Sequence, residues 1–528
     1  MGGTVRMAPN LTSILTFVLI LGASLLITWQ AGRRTRSSSE FYAASHSVGG
    51  FSNGLAIAGD HLSAGTLLGV TAVIYTDGYD GLIYMTGGAV GYPLLMCLLA
   101  ERLRNLGSYT FVDVLSARFR ENSIRVLAAT GTLVAAVLYL ISQMVAGGAL
   151  FEVLFGIPYP WAVAMVGGLT VLYVSVGGML ATTWVQMTKA VLLMFSILVL
   201  LALLMLNLGE GPLSLLESAA RVHQRGEEWL SPGQFLPDRV SIFAFVLTGI
   251  VGMVGLPHLL MRFFTVPDAR QARRSAVFAT GYIVTFSLLL WITGLGIVVL
   301  LAGNTEILDG QGGMIGSTNM AIMHAARIIG GNVMLGFMAS VAFATLLAVV
   351  CGLVLAAAAA LAHDLYSGVY KRGRVDDRTE VRASRISVVA LGVLAVALGM
   401  QFQGQNVAYL TALAFTVAAS VNTPALVAAL FWRGASARGL ILGGWVGMVV
   451  SVALLALSPA VWEGALGLEN APFPWIYPGL FSIPAAALVI VVVSLADRSP
   501  EAMLGRRRYD ELLAPSVLGR RDTPEIRH

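Results

Sequence analysis

Asn53-Gly-Leu-Ala-Ile-Ala-Gly-Asp60-His61-Leu-Ser63-Ala-Gly65-Thr-Leu-Leu-Gly69 sets an acid and an imidazole side by side in an otherwise apolar run punctuated by glycine. A charged side chain at the centre of a membrane helix costs about 2.5–3.5 kcal/mol on insertion scales, and such residues mark functional sites by default. Gly59, Gly65 and Gly69 weaken the helix locally, so an interruption near Ser63 to Gly65 is expected. Peptide groups freed there bind ligands where they line a cavity, as at the midplane sites of many secondary transporters. The alternative is a structural Asp60–His61 pair that ties this span to a neighbour. Successive helical residues point about 100° apart, so in an intact helix only one of the two faces a given ligand.

The surroundings of this stretch read the same way. Of 528 residues, 57% are hydrophobic and 12% charged, against roughly 25% charged in a soluble domain. A chain this long with so little charge cannot hide its apolar side chains in one aqueous core, and lipid resolves the mismatch. About 13 apolar segments have the length of roughly 20 residues that a spanning helix needs. They centre near Ile20, Gly65, Gly91, Ala136, Gly168, Leu198, Gly252, Leu289, Val349, Leu394, Phe415, Met448 and Ile490. Positive charge follows every second span: Arg33, Arg34 and Arg36; Arg102 to Arg125; Lys189; Arg262 to Arg274; Lys371 to Arg385; Arg433 and Arg438; Arg506 to Arg508. The alternate loops hold acids or nothing, among them Asp77, Asp80, Glu152, Glu306, Asp309, Glu463 and Glu469, and only the longer loop around Glu210 to Arg239 mixes signs. That alternation predicts an outside N-terminus and a cytoplasmic C-terminus.

The same observations exclude other classes. The net charge of +5 sits in short loops between spans, which speaks for membrane topology and against nucleic acid. Cys97 and Cys351 fall inside apolar runs and support neither a disulfide framework nor a thiol metal site. No loop is large enough for a catalytic domain, and no phosphate-cradling Gly-Lys-Ser/Thr motif occurs. The expected organisation is a polytopic domain over 1–496 and a charged cytoplasmic tail over 497–528, partly disordered. No enzymatic activity and no cofactor are expected.

Other polar groups inside the spans carry two readings each. Tyr139, Ser142 and Gln143 form a stripe at helical spacing that suits either substrate contact or hydrogen bonding between helices. Thr345 is the one hydroxyl near the centre of Ser340–Gly352, as a ligand or bonded to the carbonyl one turn back. His258 and Arg262 lie near the cytoplasmic end of the seventh span, where Arg262 reads as an interfacial anchor. Tyr79, Asp80, Gly81 and Tyr84 read as a turn with interfacial aromatics.

Six stretches in order carry a resemblance. Gly54-Leu-Ala-Ile-Ala-Gly-Asp60, Gly78-Tyr-Asp-Gly-Leu-Ile-Tyr84 and Ala100-Glu-Arg-Leu-Arg-Asn-Leu-Gly-Ser-Tyr-Thr-Phe111 are the first three. Gly177-Gly-Met-Leu-Ala-Thr-Thr-Trp-Val-Gln186, Gly255-Leu-Pro-His-Leu-Leu-Met-Arg-Phe-Phe-Thr-Val-Pro-Asp268 and His363-Asp-Leu-Tyr366 complete the set. They resemble the sodium:solute symporter family, specifically its acetate permease branch of cation/acetate symporters. The resemblance implies an all-α membrane fold with a LeuT-like core of two inverted five-helix repeats, about 50–208 and 241–432, rocking about a midplane site. It implies a cation-coupling site on Gly59, Leu62, Thr345, Ala348 and Val349, beside Asp60. Where sodium-coupled relatives carry two hydroxyl residues, this chain has Ala348 and Val349. The coupling ion is therefore either Na+ on Gly59, Leu62 and Thr345 or H+ on Asp60. The implied substrate position on the second span falls on His61 and Thr66. Amides of Ser63, Ala64 and Gly65 at a positive helix end suit a carboxylate. Together with Tyr139 and Gln143 these form the expected substrate site. The expected function is cation-coupled symport of acetate or a related short monocarboxylate across the bacterial inner membrane. A same-fold symporter for an amino acid or vitamin, or a transporter-like sensor, are the alternatives.

Overall fold

The computed structural model describes residues 10–32, 44–107, 109–176, 179–234, 236, 238–308, 312–372, 374–464 and 466–518. Arg33, Arg34, Arg36, Ser108, Gly177, Gly178, Asp309 and the tail beyond 518 lie outside them. The regular structure among the described residues is helical, with a single isolated bridge between Leu308 and Met314. After α1 (Leu11–Gly32), the second expected span is two pieces, α2 (Gly50–His61) and α3 (Gly65–Asp77), bent by 56° at the break. Then come α4 (Asp80–Leu98), α5 (Ala100–Leu106), α6 (Phe111–Arg118), α7 (Asn122–Phe155) and α8 (Tyr159–Val176). They are followed by α9 (Met179–Leu208), α10 (Pro212–Val222), α11 (Arg239–Gly255), α12 (Pro257–Met261) and α13 (Ala269–Leu301). The last third holds α14 (Ala321–Ala359), α15 (Asp377–Gly399), α16 (Val407–Ser420) and α17 (Asn422–Phe431). It ends with α18 (Ala437–Ala456), α19 (Gly479–Ala496) and α20 (Pro500–Leu518).

Nine stretches are long and apolar enough to cross a membrane, two bent pairs join them as interrupted spans, and Leu11–Ala23 and Tyr159–Leu172 are shorter apolar helices. With each bent pair taken as one span, that makes eleven candidate spans among the described residues, against about 13 expected, and the two shorter helices fall at two of the expected positions. The longest stretch, Thr318–Tyr370, has 53 residues and would measure about 80 Å as a straight helix, far beyond a hydrocarbon core of about 30 Å. The stretch is broken at Gly331, whose φ of +61° and ψ of −157° are open to glycine and closed to most other residues. The transmembrane part then runs unbroken through Thr345 and continues as a π-helical segment, Ala360–Tyr370.

At the centre, α14 packs against α7, α9 and α1, while α2 lies between α13 and α9, and α16 leans on α7 and α11. The tail, expected to be partly disordered, forms α20 and docks. Arg118 supplies the reason: its guanidinium, 3% exposed, donates to the carbonyls of Ala429, Trp432, Arg433 and Ala435 and to Gly505 of α20. The last carbonyls of α17 have no partner within their own helix, and a buried cation satisfies them. Arg433 and Asp510 add a two-pronged ion pair, and Asn105 donates to the Ser516 carbonyl.

Candidate functional site

The break sits where the glycine spacing puts it. α2 ends at His61, Leu62 leaves helical geometry with ψ of 84°, and the next N–H groups to find carbonyls are those of Thr66 and Leu67, both on Ser63. The opening of α3 thus directs its first peptide N–H groups at the gap, as helix starts do. Beside it lies a cavity of about 30 Å³, lined by His61, Ser63, Thr66, Tyr139, Thr248 and Thr411 among others. Of the expected substrate residues, His61, Ser63, Thr66 and Tyr139 face this cavity. Gly65 instead packs against Thr411, where an added methyl would strike the hydroxyl, and Ala64 is buried beside it. Gln143 turns to Ser142, whose hydroxyl also receives the Thr411 hydroxyl at 2.9 Å. The α7 stripe is therefore divided between cavity lining at Tyr139, helix-to-helix bonding at Ser142, and a bond within the same helix at Gln143. Among the described residues the cavity lining carries many hydroxyls and one imidazole, and no carboxylate. His61 also meets the edge of Tyr92, with ring centroids 5.3 Å apart.

Asp60 points away from this cavity. It is fully buried and ion-paired with the Nε of Arg262, and it accepts a second bond from the Gln186 side chain. Arg262, expected at the membrane interface, is 1% exposed, because the chain turns at Leu256–Pro257 and the short helix α12 carries it inward. Its Nη1 donates to Thr183 at 2.9 Å, its carbonyl accepts from Asn53, and its Nη2 has no hydrogen-bond partner among the described residues. His258, on the turn before it, lies edge-on to Tyr139 at 5.6 Å.

The residues that the resemblance assigned to a cation are together, and donors already occupy several of them. Gly59 gives its carbonyl to the ammonium of Lys189, and Ala348 gives its carbonyl to Gln186 Nε2 at 2.6 Å. Thr345 donates to the Val341 carbonyl at 2.6 Å, one turn back in its own helix. Leu62 and Val349 are fully buried apolar side chains. Gly59 is glycine for a packing reason, since a methyl there would strike the main-chain carbonyl of Gln186. The contact brings α9 close enough for Lys189 to reach across.

Lys189 had looked like a charge in the loop after the fifth span. It lies instead 2% exposed within α9, because the sixth apolar segment extends toward its N-terminus as one helix through this polar stretch. Thr183, Gln186 and Lys189 follow one another at three-residue spacing, which puts them on one helical face. That stripe was the available signal in the sequence.

A second polar cluster lies away from the cavity. Asp113, His363 and Asp364 place ligand atoms within 4.8 Å of one another, the one such group among the described residues. His363 spends both ring nitrogens on carboxylates, Nδ1 on Glu380 at 3.0 Å and Nε2 on Asp113 at 3.7 Å. The group therefore reads as an ion-pair clamp joining α6, the end of the α14 segment and α15. Burial pushes the Asp113 carboxyl up, but His363 and the N–H groups of Tyr109 and Thr110 outweigh it and hold the carboxyl at about 2.

Comparison with known proteins bears on this arrangement. A family model described as "Sodium:solute symporter family" matches residues 41–447. A Na+-coupled sialic acid symporter in a substrate-bound outward-open state is similar in structure, with TM-score 0.74 and 14% identity over 92% of this chain and 98% of that one. A nucleobase-cation-symport-1 family transporter with bromovinylhydantoin bound gives 0.54 and 15% over 90% and 99%. MhsT in complex with L-phenylalanine gives 0.52 and 15% over 86% and 98%. At such identities the structural likeness speaks for the fold alone, a LeuT-like transporter core. The family match, spanning both interrupted helices and α14, goes further: this chain belongs to the sodium:solute symporter family, whose members are transporters that couple a small solute to a cation.

Proposed function

We propose that the chain carries acetate or a related short monocarboxylate into a bacterial cell across its inner membrane, together with a coupling cation, Na+ or H+. The observation that carries this reading is the cavity at the broken helix. A bound water takes about 10–15 Å³, so a space of about 30 Å³ suits a ligand with the bulk of a few water-sized groups, as acetate has. Its lining supplies hydroxyl and imidazole donors and the opening N–H groups of α3, with no carboxylate to repel an anion or to receive an ammonium. Beyond the lining, two buried cationic side chains, Arg262 and Lys189, stand against the single carboxylate of Asp60. All three features favour a small anion over an amino acid.

Two rocking halves, about 50–208 and 241–432, fit this reading. The first opens with the 56° break between α2 and α3, and the second with a single residue out of helical geometry, Leu256, between α11 and α12. Interrupted helices in corresponding places of two halves are the usual frame of a midplane site, exposed to either side in turn. One cation moving with one monocarboxylate is electroneutral, so a tenfold ion gradient supplies about 1.4 kcal/mol and the membrane potential adds nothing. Two cations per anion would add about 2.3 kcal/mol per 100 mV.

Uptake of labelled acetate into proteoliposomes tests the substrate class, with propionate, pyruvate and proline as competitors. Acetate uptake blocked by propionate and pyruvate is the expected result. Competition by proline alone would overturn the reading.

A further inference from the structure

We propose that the ammonium group of Lys189 stands where sodium-coupled relatives hold their ion, so that this chain binds no sodium between α2 and α14. The inference rests on the symport reading for the meaning of the position, and on the geometry for what fills it.

A hard cation needs several oxygens free to turn toward it. Three of the oxygens at this position are already engaged. The Gly59 carbonyl accepts from Lys189, and the Ala348 carbonyl accepts from Gln186. The Thr345 hydroxyl is turned into its own helix, and Ala348 and Val349 offer methyl groups where relatives offer hydroxyls. A sodium ion entering here would have to share the Gly59 carbonyl with an ammonium of like charge, close to the guanidinium of Arg262. The residues present do not fit the ion.

They fit a lysine well. The groups that face Lys189 are Asp60 and His61 from α2, His258 and Arg262 from the α12 turn, and Cys351 from α14. On the α13 side, the Tyr282 hydroxyl bonds the neighbouring Ala190 carbonyl. Asp60 supplies the negative charge that makes a buried cation tolerable, and Gly59 supplies an acceptor. Lys189 thereby ties α9 to the end of the broken helix, the mechanical task an ion would otherwise perform. A covalently tethered cation performs that task at any sodium concentration. Lys189 is in this sense a positioning residue for the break and a determinant of ion specificity.

Thermal unfolding of the purified full chain in equal concentrations of sodium chloride and choline chloride tests this without any transported substrate. The wild type is expected to give the same Tm in both salts. The triple variant Lys189→Ala/Ala348→Ser/Val349→Ser frees the Gly59 carbonyl and restores two hydroxyls. It is expected to melt lower in choline and to gain a sodium-specific rise in Tm. A sodium-specific rise in the wild type would overturn the proposal. So would a triple variant that folds and stays indifferent to sodium. Should the triple variant not fold, the wild-type comparison and acetate uptake with sodium replaced by choline still decide. Undiminished uptake supports the proposal and lost uptake overturns it. A chain that ignores acetate would sink the substrate reading while the melting result stood on its own.

Discussion

Asp60 and Arg262 lie 202 positions apart in sequence and are 0% and 1% exposed, so neither has water to fall back on. Replacing Asp60 with Leu leaves the guanidinium uncompensated and also removes an acceptor from Gln186. Breaking one side of a buried pair costs about 3–5 kcal/mol, most of it the desolvation of the charge left behind. Arg262→Met leaves Asp60 with the Gln186 hydrogen bond and the more distant charge of Lys189, and should cost a similar amount or somewhat less. The double variant Asp60→Leu/Arg262→Met removes both charges of the pair, though Lys189 loses the carboxylate that faces it, and should still cost less than the two single losses combined, by about 2–3 kcal/mol. Chemical unfolding of the four proteins in detergent, followed by intrinsic fluorescence, gives the cycle directly. Losses that add to within about 0.5 kcal/mol would mean the two groups do not interact, and the account of the site's buried electrostatics would be refuted.

Three further outcomes follow from named contacts. Ser63→Ala and Thr66→Ala each remove one hydroxyl from the cavity lining, so the KM for uptake should rise about 2- to 12-fold with kcat little changed; an unaltered KM would remove them from the substrate site. Arg118→Ala strips the carbonyls of α17 and α20 of their shared donor and should cost about 3 kcal/mol or more, with faster proteolysis within 500–518 as the specific sign; unchanged cleavage would contradict the docking role. Asp113 is held at about 2, below its unfolded value of about 3.9, so its contribution is full above pH 4 and is lost as pH falls toward 2. Asp113→Asn should lower Tm near neutral pH and flatten its decline over that acid window, and an identical pH profile in the variant would refute the assignment.

The sequence carried the architecture because lipid imposes a strong and simple rule on composition. Apolar length and alternating loop charge are both local quantities, and the break between His61 and Gly65 was marked by glycines around an out-of-place acid. What lay beyond reading was the direction in which long side chains turn. Arg262 near a span end and Lys189 in a presumed loop look the same in sequence whether they snorkel to water or fold inward, because the flexible stem permits both. The deciding partner, Asp60, lies far away in the chain. The tail misled for a related reason. Its charges suggested a solvated segment, yet Arg506 donates to the Ser494 and Asp497 carbonyls and Asp510 receives Arg433, pairings that composition does not encode.

The clasp made by Arg118 addresses peptide oxygens, and each residue in the chain has one whatever its side chain. Substitutions at positions 428–435 or at 505 that preserve the backbone trace would therefore pass unnoticed by it. Selection on that junction would act on shape, and it would be visible as a fixed arginine facing neighbours that are free to drift.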